Sequence, residues 1–156
     1  MFDAPVDAWY VWLGLAVASL AVFGSASSLP TTPPPDAADA ADTVDAVAAD
    51  DYETTAEHPL TAAAVRVGPH RIALRNEGGT SHAEFAFGPV TPVARGSRLE
   101  RVLHGTPVDV AFDDRQAFQQ AVIDARTRES TWTETDRSLI VRRVSWEGQD
   151  VTLVGA

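Results

Sequence analysis

The sequence predicts an α+β protein in three parts: an N-terminal transmembrane helix, a Pro-rich and acidic tether, and a small, mainly antiparallel sheet packed by one helix. Three observations carry this. Residues 8–29, AWYVWLGLAVASLAVFGSASSL, form an uncharged run of 22 residues. Residues 30–57 begin PTTPPP and then hold eight acids and no base. From residue 58 onward apolar residues alternate in short runs, the pattern of half-buried strands, with one stretch of helical period.

A short tail, residues 1–7, precedes the apolar run. As a helix the run rises about 33 Å, enough for a hydrocarbon core of about 30 Å. Trp9, Tyr10 and Trp12 cluster at its start, where amphipathic rings suit a membrane interface. Gly14, Ala18, Ala21 and Ser25 recur at four-three-four spacing and share one face, which suits a close helix–helix contact. A retained anchor is the favoured reading. The competing one is a secretory signal cleaved after Ala26, at Gly24-Ser25-Ala26. Against it, the start carries Asp3 and Asp7 and no base, and the run is longer than a typical h-region of about 7–15 residues. The expected location is the cell membrane, single-pass, with the acidic C-terminal part extracytoplasmic.

Residues 30–57 form the expected tether. Pro30 to Pro35 stop the first helix and favour extended geometry. Asp36 can cap a short helix over 36–49, with Ala38, Ala41, Val44, Val47 and Ala48 on a thin apolar face. An acidic low-complexity linker is the alternative.

Residues 58–156 form the expected globular domain. Residues 65–77 and 80–87 read as a hairpin around Glu77-Gly78-Gly79, and 98–103 as a third strand. Residues 113–126 read as a helix, with Asp113 as N-cap, Gln116 completing a capping box, and Phe118, Ala121, Val122 and Ala125 facing the core. Residues 138–146 and 150–154 close the chain as a second hairpin. Consecutive Leu139, Ile140 and Val141 mark a central strand covered on both faces.

Composition narrows the function. The chain of 156 residues has net charge −10, no cysteine and no lysine. Disulfides and thiolate metal sites are therefore excluded. Abundant Asp without Lys suggests a salt-adapted organism. From Arg66 onward, however, twelve arginines balance twelve acids, so the negative charge is concentrated before that point. A neutral domain behind an acidic tether does not suit nucleic acid. Arg66, Arg71 and Arg75 are expected to pair with Glu77, Glu84 and Glu100 across strands, or to meet a partner protein. His58, His70, His82 and His104 match no zinc spacing, and no nucleophile elbow or phosphate-binding loop is present. The expectation is no catalytic, metal-binding or cofactor-binding residues and no enzyme, with the lipid bilayer and other proteins as partners.

The start MFDAPVDAWYVWLGLAVASLAVFGSAS, the central GPHRIALRNEGGTSHAEFAFGPVTPV and the end RRVSWEGQDVTLVGA resemble an uncharacterised family of short, membrane-anchored proteins of haloarchaea. The resemblance implies no known activity. It does imply association with type IV pilus-like surface systems and an architecture similar to pilins, although the basic leader and the Glu just inside the pilin helix are missing. The expected function is a non-enzymatic structural or accessory component of a cell-surface, pilus-like assembly. The alternative is a ligand-binding or sensory domain with a pocket near Phe85, Phe87 and Trp146.

Overall fold

The computed structural model describes residues 8–27, 32–135 and 137–156, with side chains of the first segment described from Trp9 to Phe23. The expected tail 1–7 and the stretch 28–31 lie outside the described residues. The chain divides into two compact units, Met1–Thr32 and Pro33–Ala156.

The first unit contains helix α1, Ala8–Ser27. Among the described residues no helix is long and apolar enough to cross a membrane. The expected transmembrane helix and single-pass membrane location are corrected accordingly.

The second unit is α+β, with two four-stranded sheets where one was expected. Its elements run α2 (Ala37–Ala48), β1 (Thr55–Pro59), β2 (Ala64–Val67), β3 (Arg71–Asn76), β4 (Gly79–Glu84), β5 (Thr91–Pro92), α3 (Arg98–Leu103), α4 (Val108–Ala111), α5 (Arg115–Thr127), β6 (Thr133–Glu134), β7 (Ser138–Trp146) and β8 (Gln149–Gly155). The first sheet has the order β1-β7-β8-β5 and the second β4-β3-β2-β6. All pairings are antiparallel except β5 with β8.

Helix α2 belongs to the core, and the compact unit takes in residues 33–57, which the sequence suggested as a tether. Asp36 starts the helix by accepting from the N–H groups of Ala38 (3.0 Å) and Asp39 (3.1 Å). Ala37, Ala40, Ala41, Val44 and Val47 are buried together with Ile72 and Leu74 of the second sheet and Leu139, Val141 and Val154 of the first. Small side chains let the helix fit between two sheets. Strand β1 extends this region. Its TAEHP sequence gives little hydrophobic signal, yet it pairs with β7 from Thr55↔Arg142 to Pro59↔Ser138.

The other face of the first sheet carries a second core. Val144, Val151 and Leu153 meet Leu99, Val102 and Leu103 of α3 and Phe118, Val122 and Ala125 of α5. Strand β7 therefore packs on both faces, as Leu139-Ile140-Val141 suggested. Phe118 sits edge-on to Phe112 (centroids 5.3 Å) and to Trp146 (5.8 Å).

Residues 98–103, expected as a strand, form helix α3. The reason is a capping box. The Ser97 hydroxyl accepts from Glu100 N–H (3.2 Å), and the Glu100 carboxylate accepts from Gly96 N–H (2.6 Å). The buried residues Leu99, Val102 and Leu103 follow helical spacing rather than alternation. In α5 the N-cap is Asp114, accepting from Ala117 N–H at 2.7 Å, one residue later than expected; Asp113 instead lies 3.8 Å from Arg98.

Candidate functional site

Among the described residues no group of His, Asp and Glu could hold a metal ion. The nearest approach to a catalytic array is Asp39, Thr43 and His58. The His58 Nδ1 lies 3.0 Å from the Thr43 hydroxyl, and its Nε2 lies 3.8 Å from Asp39. The Thr43 hydroxyl donates to the Asp39 carbonyl one turn back (3.1 Å). The His58 contact ties α2 to β1, and the donor in it is set by the imidazole tautomer.

The acids of the expected tether have structural partners too. Asp45 accepts from the N–H groups of Ala86 and Phe87, both at 3.0 Å, and so pins the chain after β4. Glu53 accepts from Ser145 N–H (3.0 Å). Asp50 accepts from the Thr54 hydroxyl (2.7 Å) and Tyr52 N–H (3.1 Å), and these bonds, the hydroxyl foremost, hold its carboxyl below the ordinary value. Arg143, from the expected Arg142-Arg143 pair, donates to the last carbonyl of α2, Ala48 O (2.8 Å), and bonds Asp150 (3.2 Å).

The expected pairing of Arg66, Arg71 and Arg75 with glutamates is not made. Arg71 lies opposite Glu84 in the β3–β4 register, but none of the three arginines forms an ion pair among the described residues. Instead Arg66 and Arg75 both lie over Trp132, with guanidinium carbons 4.9 Å and 4.6 Å from the ring centroid. The register makes this possible. Arg75 faces Ala64 and Arg66 faces Ala73, so small neighbours leave room for both arginines on the outer face of the second sheet. No spacing in the sequence joins Trp132 to β2 and β3, which is why it escaped notice.

Phe85, Phe87 and Trp146 do not share a pocket. Phe85 is buried in the α2 core, Trp146 packs on the α5 core, and Phe87 is exposed. A pocket of about 260 Å³ lies where β2, β8, the segment after β5 and the C-terminal turn of α5 meet.

In α1, Gly14, Ala18 and Ala21 lie on one helical face, and a Cβ added at Gly14 would meet nothing within 4 Å. The side chain of Ser25 and the proposed cleavage point after Ala26 lie outside the described side chains. Trp9, Tyr10 and Trp12 lie at the helix start, with the first two rings 4.0 Å apart. Residues 3–144 match the Family of unknown function (DUF7283). No curated protein and no solved structure matches the chain.

Proposed function

The chain belongs to the Family of unknown function (DUF7283), and we propose that it is a non-enzymatic component of a protein assembly, working through contacts rather than catalysis. The observation that carries this reading is α1. Leu13, Leu15, Val17, Leu20, Val22 and Phe23 are all exposed and surround the helix. A helix apolar all round calls for an apolar cover, and covering one such side chain contributes about 1.5–3 kcal/mol. The outer face of the second sheet adds a contact surface of the composition that binding hot spots favour, a tryptophan framed by two arginines. The more specific reading is an accessory component of a haloarchaeal, pilus-like surface system, supported by the resemblance of the three quoted segments.

The test is crosslinking and affinity capture of the tagged, full-length chain from its own cells, followed by mass spectrometry. The expected result is co-recovery with a pilus-type assembly ATPase or platform protein, lost in Leu13→Asp/Leu20→Asp. Recovery as an uncrosslinked monomer would overturn the proposal.

A further inference from the structure

Strand β3 divides its side chains between two faces. Ile72 and Leu74 are buried with α2, so Arg71 and Arg75 stand on the outer face of the second sheet, where Arg66 of β2 lies opposite Ala73. Glu84 and Glu134 share this face by register and Glu129 borders it. None of them pairs with an arginine, and the side chains of Arg66, Arg71 and Arg75 make no hydrogen bond or ion pair among the described residues. Arg66 and Arg75 instead frame Trp132, which is half-buried, while Arg75 is exposed. The result is an aromatic knob flanked by two cations.

A groove of about 470 Å³ runs between α2 and the chain entering β1. Ala46, Val47 and Ala56 give it an apolar lining, and Asp42 and Asp50 are its acids. Asp42 is exposed, and its carboxylate has no hydrogen bond or ion pair among the described residues. Asp50 accepts from the Thr54 hydroxyl and Tyr52 N–H and keeps lone pairs for a further donor. Arg143, whose charge Asp50 also feels, is committed to Ala48 O and Asp150. Small residues leave room for a large ring, and two carboxylates suit two guanidiniums.

We propose that this groove receives the Arg66–Trp132–Arg75 knob of a second copy of the chain, with the ring against Ala46 and Ala56 and the guanidiniums on Asp42 and Asp50. Within one copy the two cannot meet, because α2 and the arginines lie on opposite faces of the second sheet. The contact is therefore heterologous. Each copy offers its knob to the next groove, and the series closes as a ring or continues as a chain. Tryptophan and arginine are the residues that binding hot spots favour, and ion pairs partly buried in a contact are screened by salt much less than exposed ones. The contact rests on the reading of the protein as an assembly component and commits it to self-assembly.

The experiment is sedimentation velocity on the full-length chain from micromolar to millimolar concentration, with Leu13→Asp/Leu20→Asp throughout to remove the apolar contribution of α1. The expected result is dimers and longer species that grow with concentration. Arg75→Gln breaks the knob and Asp42→Arg breaks the groove, and each should weaken association at least about tenfold. Both residues are exposed, so the fold is kept. Mixed in equal amounts, the two variants retain one knob and one groove. They should form a one-to-one dimer at the parental strength that grows no further. A monomeric parent, unaffected variants or a mixture that fails to pair would each overturn the proposal. So would an acidic peptide that binds the knob of a monomeric parent, since it would show another occupant. A monomeric parent leaves co-recovery of other proteins from cells untouched, so this contact and the assembly reading fail separately.

Discussion

Helices α1 and α2 are both built from Ala, Val and other small residues, yet they solve opposite problems. Helix α1 carries large apolar side chains on every side, and those described are exposed, Trp12 at 71%. Helix α2 has only small apolar residues to offer, and it buries five of them, Ala37, Ala40, Ala41, Val44 and Val47, with Val44 at 0%. Apolar content and burial are therefore different quantities. What buries α2 is fit. Alanine at positions 37, 40 and 41 lets two sheets close on the helix, and each aspartate that faces a neighbouring backbone N–H gains a bond there.

The largest expected effect tests this contrast directly. Val44→Asp would place an unpaired charge in the first core and should cost more than about 4 kcal/mol, unfolding the second unit. Leu13→Asp in α1 should leave the melting of that unit within about 0.5 kcal/mol. Thermal melting by circular dichroism compares the two. Equal losses would mean that α1 is as much a part of the folded core as α2.

A smaller effect sharpens the role of the acids. Asp36→Ala removes the acceptor for two N–H groups at the start of α2 and should cost about 1 kcal/mol in chemical denaturation. An unchanged midpoint would mean that the sheets alone hold the helix.

The smallest effect is a pH dependence. The carboxyl of Asp50 is held below its ordinary value, chiefly by the Thr54 hydroxyl. A group lowered in the folded state lends stability that is present above the unfolded value, near pH 4, and lost as pH falls through the folded one. Asp50→Asn should therefore flatten the decline in melting temperature below about pH 4. An unchanged slope would show that the bond is too solvated to matter.

These helices also show what the sequence made legible. The cap at Asp36, the turn at Glu77-Gly78-Gly79 and the β7–β8 hairpin follow from local patterns, and the structure contains them, although residues 65–77, expected as one arm of a hairpin, form the two antiparallel strands β2 and β3. Consecutive Leu139, Ile140 and Val141 mark a central strand, and β7 has a core on each face. Two kinds of information were not local. The burial of α2 depends on strands about a hundred residues away, and its thin apolar face gave no hint of two closing sheets. The Arg66–Trp132–Arg75 contact depends on register between strands far apart in the chain. Helix α3 is different: residues 98–103 are expected as a strand, although the Ser97 and Glu100 side chains that start the helix lie within the same local stretch. For the candidate site, the absence of a nucleophile motif was visible, but the pocket beside Arg128 is assembled from four separate segments.

The position of α2 between its sheets also sets an order of events during synthesis. The helix is made early, at residues 37–48, but the partners that seal it on one side, β7 and β8, follow only at 138–155. β1 likewise waits for β7, with Thr55 pairing to Arg142. Closing such distant contacts carries a loop-entropy cost before any burial offsets it. The second unit should therefore complete its core only after β8 leaves the ribosome. Until then the alanine face of α2 stays open, and it is the surface a chaperone would hold.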